Sequence, residues 1–567
     1  MKIKQRQFNE KIVKELVAQG INALLARLYA ARGVVSKSEL ETSLSGIIPP
    51  VQLTNSSQMA KLLADAIAQN KKLLVIGDYD ADGATATAVA VKGLRSMGAN
   101  VDFLVPNRFE YGYGLTPEIV ALAATLKPDI LITVDNGIAS VDGVVAANLL
   151  GLKVLITDHH LPAETTPQAA CIVNPNQHGC TFKSKNLAGV GVMFYVLLVL
   201  RAELRSRGAF ADKLEPNLAE LLDLVALGTV ADLVKLDANN RILVEQGLRR
   251  IRAGAGCAGI SALLKIAGKS PEKVTAQDFG FAVGPRLNAA GRLDDMRLGI
   301  VCLLAEAEAD ATQKAQTLHE LNMERRNIEA DMQDSALISL ENIEVFENFS
   351  LSIYSADYHQ GVIGILASRL KEKYHRPTIV FADAGDAKES DKILKGSGRS
   401  IANFHLRDAL DLVTKRHPNL IIKFGGHAMA AGLSIKQSDF NTFQNAFEAV
   451  TRQLLTEADL QAVIETDGSL AVNDMSLQTA WMLGGVIWGQ GFAQPFFNDA
   501  FKVINQRILG EKHSKLILEK DNKRFDAIYF NYADNLPESI NAVYALEANE
   551  YKGLQTLQLQ IKYIEIA

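Results

Sequence analysis

The chain has 567 residues, of which 48% are apolar and 22% are charged, an ordinary composition for a globular protein. At roughly 150 residues per domain, this length predicts three or four domains and excludes a single small module. The formal charge of −5, from 59 Lys and Arg against 64 Asp and Glu, excludes a protein that is basic throughout but allows a local cationic surface.

The cysteines and the longest apolar run indicate where the protein resides. The four cysteines are scattered and form no C-x-x-C pair, so neither a disulfide framework nor a thiolate zinc site is predicted. The longest uncharged apolar run, residues 187–200, is shorter than the ~18–20 residues that a membrane-spanning helix needs. We therefore expect a soluble, cytoplasmic protein that does not enter a membrane.

Residues 1–70 are predicted to be a helical extension with a break at residues 43–50. From residue 71 onward, short apolar runs alternate with helix-like stretches, a rhythm that predicts βαβ units and a parallel sheet buried on both faces. The predicted strands are residues 73–76, 101–105, 130–134 and 154–157, and the helices between them are residues 84–97, 117–126 and 140–150.

The rest of the chain predicts two further regions of different character. Buried helices at residues 188–205 and 218–234 precede a charged helix without Gly or Pro at residues 310–343, which is typical of a connection between domains. A second α/β region follows, and after residue 460 short alternating strands predict a small antiparallel barrel or sandwich. In the second region the strands are residues 351–354 and 378–381 and the helix is residues 362–374; the terminal strands are residues 500–509, 515–518, 525–530 and 557–566.

Acidic and imidazole side chains follow three of the predicted parallel strands. The first strand runs into residues 77–83, Gly-Asp-Tyr-Asp-Ala-Asp-Gly, the third ends at Asp135, and the fourth ends at residues 158–160, Asp-His-His. Because ligands of open α/β sheets bind at the carboxyl ends of the strands, these side chains are expected to meet. A single Asp at such a place can instead cap the following helix.

Carboxylates crowded at one edge repel one another, and a divalent cation is the usual way to offset that repulsion. Oxygen ligands with one or two imidazoles favour Mn²⁺ or Mg²⁺, or a pair of such ions, over thiolate-bound zinc. Two ions sharing a carboxylate suit the hydrolysis of phosphate esters or anhydrides.

Three glycine-rich segments carry polar or basic neighbours. Residues 284–292 hold two arginines among small residues, a composition suited to phosphate recognition. Residues 395–400 and 425–432 could form loops whose backbone N–H groups bind an anion, although glycine-rich loops are also ordinary turns.

These motifs, together with residues 228–232 (Gly-Thr-Val-Ala-Asp) and the late Gly-Gly-His at residues 425–427, strongly resemble the DHH phosphoesterase superfamily with its DHHA1 domain. The resemblance covers residues 71–450. Within the superfamily, residues 106–114, 284–292 and 359–364, and the further domain after residue 460, resemble the RecJ exonucleases.

The resemblance implies a role for each motif residue. The metal ligands would be Asp78, Asp80, Asp135, His159 and Asp232, with one or two Mn²⁺ or Mg²⁺ ions and Asp135 between them. Among the residues implied to be catalytic, which are Asp135, His160 and Asp82, His160 would contact the scissile phosphate or assist proton transfer. Asp82 would bind metal through water or only shape its loop.

Substrate-binding residues are implied both in the metal-bearing domain and in the DHHA1-like domain. They are Arg108, Arg286, Asn288, Arg292, His359, Ser397, Arg399, Gly425, Gly426 and His427. One position departs from the pattern of some superfamily members, since Leu74 stands where they place a ligand histidine. The first ion would then be held more weakly or by more water.

The fold class implied is α/β: a parallel-sheet DHH domain, a smaller α/β DHHA1 domain joined to it by a long helix, and a C-terminal OB-like β-barrel. The expected domains are an N-terminal extension (1–70), the DHH domain (71–307), the connecting helix (308–345), the DHHA1 substrate-binding domain (346–455) and the OB-like single-strand-binding domain (456–567).

The activity implied is metal-dependent 5′ to 3′ hydrolysis of single-stranded DNA to mononucleotides in DNA recombination and repair. Expected partners are single-stranded DNA, a single-stranded-DNA-binding protein and a helicase. One alternative is a DHH phosphodiesterase for short oligoribonucleotides or cyclic dinucleotides, against which the terminal extensions argue. Another is a non-catalytic scaffold, against which the intact acidic and imidazole set argues.

Overall fold

A computed structural model of the chain describes residues 1–107, 111, 114–340, 345–385, 392–551 and 553–565. They divide into two compact units: a smaller one of Met1–Lys4 and Glu320–Ile464, and a larger one of Gln5–His319 and Glu465–Ala567. None of the helices in this described part is long and apolar enough to cross a membrane.

The N-terminal segment is mainly helical, as predicted. A short strand, β1 (Lys2–Gln5), precedes α1 (Glu10–Ala18), α2 (Ala23–Ala30) and α3 (Ser56–Ala68). Asn9 and Asn22 cap α1 and α2 by accepting backbone N–H groups of the first turn. The strand was not predicted, because its four residues, Lys-Ile-Lys-Gln, contain a single apolar side chain and so show no apolar alternation.

A five-stranded parallel sheet forms the core of the larger unit. Its strands are β2 (Lys72–Gly77), β3 (Asn100–Leu104), β4 (Ile130–Val134), β5 (Lys153–Thr157) and β6 (Cys171–Val173), in the order β3-β2-β4-β5-β6. The connecting helices are α4 (Ala81–Ser96), α5 (Pro117–Thr125) and α6 (Val141–Leu149). The strand order reverses between β2 and β4, which is where open α/β sheets bind ligands.

Further helices of the larger unit follow the sheet. They are α7 (Gly189–Ser206), α8 (Leu222–Ala231), α9 (Ala238–Arg252), α10 (Ala258–Ile266), α11 (Gly284–Leu293) and α12 (Arg297–Leu304). A π-helical segment, Phe279–Val283, runs directly into α11. The glycine-rich segment 284–292 is therefore a helix.

The long helix predicted at residues 310–343 is observed as α13 (Glu308–Leu340) and has residues in both units. In the smaller unit a mixed sheet has the order β10-β11-β9-β8-β7. Its strands are β7 (Leu351–Tyr354), β8 (Thr378–Asp383), β9 (Ile393–Arg399), β10 (Lys423–Gly426) and β11 (Ala430–Lys436), and its helices are α14 (Ile363–Tyr374), α15 (Leu406–Arg416) and α16 (Phe440–Leu454).

The structure corrects the expectation of an anion-binding loop at residues 395–400. Lys395 to Arg399 lie in β9, which pairs with β8 and β11 on its two sides, and Gly425 and Gly426 lie in β10. Because the backbone groups of β9 take part in the ladder, any anion bound there would be held mainly by side chains.

The chain ends in a closed barrel of order β13-β14-β15-β17-β16. Its strands are β13 (Phe497–Leu509), β14 (His513–Lys520), β15 (Lys523–Tyr529), β16 (Ser539–Tyr551) and β17 (Leu554–Glu565), preceded by β12 (Val463–Thr466), which pairs with β1, and by α17 (Leu477–Gly484). The barrel was predicted, but β16 was not. The barrel is closed by the parallel pairing of β15 with β17.

Candidate active site

The loop after β2 is shaped by its own backbone hydrogen bonds. Asp78 accepts the N–H of Tyr79 at 2.9 Å, and Asp80 accepts the N–H of Gly83 at 3.0 Å as the cap of α4. A Cβ on Gly83 would lie 2.6 Å from the carbonyl oxygen of Asp78, so only glycine permits this turn. Helix capping by Asp80 uses one carboxylate oxygen and leaves the other for a ligand.

Asp82 is buried and is held by the start of α7. Its two oxygens accept the N–H groups of Gly189 at 2.7 Å and Val190 at 3.0 Å. The positive end of the helix dipole stabilises a carboxylate placed there. A Cβ on Gly228 of α8 would lie 2.9 Å from Asp82 Oδ1. Because Gly228 has no side chain, α8 can also approach this carboxylate closely.

Asp135, at the end of β4, has a backbone φ of +62°, in the left-handed region that favours glycine. Its N–H donates to the carbonyl of Thr157 at 3.0 Å. The amide of the next residue, Asn136, donates to Ile76 at 3.2 Å and to Val134 at 2.9 Å, tying the ends of β2 and β4 together. Backbone strain of this kind is characteristic of functional sites, where the surrounding contacts hold it.

His159 lies at the centre of the acidic cluster. Its Nε2 is 3.2 Å from Asp135 Oδ1, 3.5 Å from Asp232 Oδ2 and 3.9 Å from Asp82 Oδ2. Two groups of potential metal ligands share it: Asp135, His159 and His160, and Asp82, His159 and Asp232, with the ligand atoms of each group within 4.8 Å of one another. Asp78 and Asp80 belong to neither group.

The electrostatics of the cluster call for a positive partner. Burial and the charge of Asp80 raise the pKa of Asp78 and of Asp82 to about 7. Burial, and then the charges of Asp82 and Asp80, also raise the pKa values of Asp135 and Asp232 well above the ordinary range. Crowded carboxylates with one imidazole fit Mn²⁺ or Mg²⁺, whose charge offsets this repulsion.

A second observation supports the fit of a cation. Oδ1 of Asp135 is buried and accepts no hydrogen bond within the part of the chain that the structure describes, although it faces His159 Nε2. A buried carboxylate oxygen in that state is costly unless a cation or donor satisfies it. Leu74, at the position discussed above, is fully buried in β2 and offers no ligand.

Asp158 was predicted to lie at this edge of the sheet, but it was not among the predicted metal-binding, catalytic or substrate-binding residues. Its Oδ1 accepts the backbone N–H groups of His159 at 2.7 Å and His160 at 3.1 Å and lies 2.7 Å from His160 Nδ1, while Oδ2 accepts the N–H of Ile138 at 2.8 Å. Against the effect of burial, the hydrogen bond to Asp158 and its charge raise the pKa of His160 to about 9. The same contact, again against burial, lowers the pKa of Asp158.

The backbone of the two histidines is also fixed. The side-chain amides of Asn174 and Asn176, which follow β6, donate to the carbonyls of His160 at 2.9 Å and His159 at 2.6 Å. The position of Asp158 directly before the histidine pair was a signal that could have identified it. Nothing in the local sequence pattern identifies Asn174 or Asn176.

Helix α11 carries three of the expected substrate-binding residues. Asn288 Oδ1 accepts the N–H of Ala81 in the acidic loop at 2.8 Å. Arg286 donates to the carbonyl of Ala282 at 2.6 Å and to His319 Nδ1 at 3.2 Å. Arg292 is half-buried, and Arg108 lies outside the described residues.

In the smaller unit, the exposed part of one sheet surface brings together Ser397, Arg399, Gly425 and Gly432, here called the glycine face. Ser397 pairs with Gly432, and Gly432 pairs with Gly425. Arg399 Nη1 donates to Ser397 Oγ at 3.3 Å. A Cβ on Gly425 would meet no heavy atom within 4 Å, so the surface is open there.

The start of α14 lies against the glycine face. A Cβ on Gly364 would be 2.9 Å from both Arg399 Nη2 and Ser397 Oγ. His359, just before α14, accepts the N–H of Gly361 at 3.1 Å through Nδ1, and burial lowers its pKa.

The remaining candidates lie in the hairpin of β10 and β11. His427 is exposed and donates its N–H to Ala430 at 2.8 Å. Gly426 has φ +140°, and a Cβ there would lie 2.5 Å from the carbonyl oxygen of Ala430, which indicates a role in the turn.

A parallel sheet with an acidic and imidazole cluster at its switch point, followed by a mixed sheet with an arginine-bearing face, defines a phosphoesterase of the DHH class. Residues 72–229 match the model of the DHH family N-terminal domain, residues 347–453 the DHHA1 domain, and residues 466–563 the RecJ OB domain. With the relatives described next, these matches show that the chain belongs to the RecJ family.

Similar proteins span nearly the whole chain. The single-stranded-DNA-specific exonuclease RecJ of Dickeya dadantii is 49% identical over 556 residues, covering 96% of each protein, and that of Escherichia coli is 47% identical over 555 residues, covering 95% of each. The crystal structure of RecJ from Thermus thermophilus in complex with Mn²⁺ aligns with a TM-score of 0.82 at 27% identity, covering 100% of this chain and 79% of that one. The complex of RecJ from the same organism with Mg²⁺ aligns with a TM-score of 0.77 at 26% identity, covering 99% of this chain and 78% of that one.

Proposed function

We propose that this protein is a metal-dependent exonuclease that hydrolyses single-stranded DNA to mononucleotides from the 5′ end, in DNA recombination and repair. The observation that carries the proposal is the partly buried cluster around His159, in which the ligand atoms of Asp82, His159 and Asp232 lie within 4.8 Å of one another. The near-full-length similarity to exonucleases named as specific for single-stranded DNA supports the substrate.

The residues that we propose to hold Mn²⁺ or Mg²⁺ are Asp78, Asp80, Asp135, His159 and Asp232. Asp82, which is held in place by the backbone N–H groups at the start of α7, supports them. Such ions, when bound, activate the attacking water and neutralise charge on the scissile phosphate. The protein's own contribution is to hold the carboxylates at fixed positions in a buried site, so that little reorganisation is needed during the reaction.

His160 is proposed to serve the scissile phosphate directly. Its side chain is 42% exposed, and Asp158 holds it by a 2.7 Å contact to Nδ1. In the metal-free protein the pKa of this ring is raised to about 9, which favours the imidazolium at neutral pH. It can therefore donate a hydrogen bond to a phosphate oxygen or a proton to the leaving oxygen.

The glycine face is proposed to bind the phosphate at the end of the strand. The hydroxyl of Ser397 and the guanidinium of Arg399 point from the same sheet surface, and an arginine can bind a phosphate through two parallel hydrogen bonds. His359, Gly425, Gly426 and His427 are proposed to complete this surface. Arg108, Arg286 and Arg292 are the further candidates for substrate binding; the family resemblance implies the same role for Asn288, whose side-chain oxygen contacts the acidic loop instead. Recognition of a terminal phosphate would set the polarity of cleavage.

We further propose the domain boundaries given in the sequence analysis, with the terminal barrel adding affinity for the single strand through aromatic and cationic side chains. Tyr529 and Tyr532 stack with their ring centroids 4.7 Å apart, at the end of the barrel where Phe530 is exposed. A single-stranded-DNA-binding protein and a helicase are proposed partners, and the cytoplasm is the proposed location.

The experiment compares wild type with Asp135→Ala in the presence of Mn²⁺. The substrates are 5′-labelled single-stranded DNA, the matching duplex and a dinucleotide. We expect wild type to degrade only the single strand efficiently and Asp135→Ala to keep its fold, by circular dichroism, while losing turnover. Cleavage by Asp135→Ala at the wild-type rate would refute the metal assignment, and preference for the dinucleotide would favour the oligonucleotide phosphodiesterase.

A further inference from the structure

Helix α11 packs directly on the backbone of the acidic loop. A Cβ on Gly291 would lie only 2.0 Å from the carbonyl oxygen of Tyr79, a distance that no side chain could occupy. The absence of a side chain at this position therefore allows α11 to contact the peptide between Tyr79 and Asp80.

One turn earlier on the same helix, Asn288 makes a specific contact with that loop. Its Oδ1 accepts the N–H of Ala81 at 2.8 Å. Ala81 begins α4 and is 1% exposed, and the N–H groups of a first helical turn have no partner inside the helix. Asn288 therefore accepts a hydrogen bond from a buried donor. Without this acceptor the donor would be left unpaired, which would destabilise the loop.

The position of Ala81 affects the carboxylates on both sides of it. Asp80 is held by the N–H of Gly83, and Asp82 is held by the start of α7. The contact from Asn288 anchors the peptide between these two residues, so the loop is held at three points from three elements. Loss of the middle anchor would allow both carboxylates to shift.

We propose that Asn288 is a positioning residue for the metal site: it fixes the peptide of Ala81 and thereby the carboxylates of Asp80 and Asp82. This inference rests on the proposed metal-dependent function. It differs from the substrate-binding role that family resemblance implies for Asn288, because its side-chain oxygen is already used by the acidic loop.

The test measures Mn²⁺ affinity of the full-length protein by isothermal titration calorimetry, together with kcat and KM on single-stranded DNA. For Asn288→Ala we expect Mn²⁺ affinity to fall about 10- to 100-fold, as for other residues that orient metal ligands. The value of kcat at a fixed, low Mn²⁺ concentration should fall in parallel, and KM for DNA should stay within about twofold of wild type.

Asn288→Asp retains an acceptor of the same shape, and the N-terminus of α4 favours a negative charge there. We expect it to restore Mn²⁺ affinity to within a few-fold of wild type. The matched control is Asn22→Ala, which removes an asparagine oxygen that accepts the N–H of Leu24 at 2.9 Å at the start of α2. This control should leave Mn²⁺ affinity unchanged.

The inference would be overturned if Asn288→Ala bound Mn²⁺ like wild type, or if its only defect were a raised KM for DNA, which is the outcome expected of a substrate-binding residue. A loss of Mn²⁺ affinity in Asn288→Asp as large as the loss expected for Asn288→Ala would also overturn the inference. This result decides the question even if Asn288→Ala does not fold. Failure of the wild type itself to bind Mn²⁺ would instead contradict the proposed function.

Discussion

The acidic cluster of the larger unit and the glycine face of the smaller unit are built on different principles. In the cluster, Asp82 and Asp135 are buried, and Asp82 is held by two backbone donors. On the glycine face, Gly425 and Gly432 are exposed, and the polar side chains come mainly from one strand. The first arrangement fixes charges in place for chemistry, and the second leaves room for a ligand to bind.

The comparison predicts different kinetic consequences of substitution. Changes in the cluster should lower kcat and metal affinity, because they disturb groups that act in the transition state. Changes on the glycine face should mainly raise KM, because they remove contacts with bound DNA.

The largest effect is expected at the centre of the cluster. His159→Gln should lower kcat by more than about a thousandfold, since His159 Nε2 lies within 3.9 Å of three carboxylates and belongs to both groups of potential ligands. The measurement is single-turnover cleavage of single-stranded DNA with saturating Mn²⁺. The control, His178→Gln, changes an exposed histidine and should be fully active. Near-normal activity of His159→Gln would contradict the catalytic role of the cluster.

A smaller effect is expected from a crowding substitution beside the cluster. In Gly189→Ala the new Cβ would lie 2.5 Å from Asp135 Oδ1, so the carboxylate must move. A displacement of this kind costs about a hundredfold in kcat. Gly484→Ala is the matched control, because a Cβ there meets nothing within 4 Å. Circular dichroism checks that both variants fold. Equal kcat values for the two variants would contradict the close packing of α7 against Asp135.

On the glycine face, Arg399→Lys should raise KM for single-stranded DNA with a 5′ phosphate by about 10-fold or more and change kcat little. Lysine keeps the charge but loses the planar pair of donors that matches a phosphate. Arg416→Lys, at the exposed end of α15, is the control. A loss of kcat at unchanged KM would show that Arg399 belongs with the chemistry.

The smallest effect concerns pH. Because burial and neighbouring carboxylates raise the pKa of Asp78 and Asp82 to about 7, these groups are largely protonated below that pH in the metal-free protein. A metal must displace those protons, so Mn²⁺ affinity should fall about tenfold from pH 8 to pH 6 for each proton displaced. Calorimetry in buffers of different ionisation enthalpy measures both quantities. Affinity independent of pH would contradict the shifted pKa values.

Much of the cluster could be predicted from the sequence, because the rule that parallel strands meet at their carboxyl ends needs only the strand rhythm. The apolar runs located β2, β4 and β5, and Asp82 and Asp135, which follow β2 and β4, do lie close to His159. What the rhythm could not show is how each group is held. The contact of Asn288 joins two elements that are distant in sequence. The contact of Asp158 with His160 depends on the local turn after β5.

The smaller unit was less predictable for a physical reason. Strands β9 and β10 are rich in glycine, which is typical of turns, and so were interpreted as loops. In the fold, these glycines permit close packing: a Cβ on Gly396 would lie 2.5 Å from the ring of Phe381, and one on Gly398 would lie 2.7 Å from Leu406. This steric requirement for glycine comes from residues in other elements of the fold, so it produces no periodic pattern in the sequence.

The most direct test of the central claim is the anomalous diffraction of crystals of this protein soaked in Mn²⁺. We predict an anomalous peak within coordination distance of His159 Nε2 and of a carboxylate oxygen of Asp135. Manganese bound only elsewhere, or absent from the cluster at a concentration that supports cleavage of single-stranded DNA, would contradict the account.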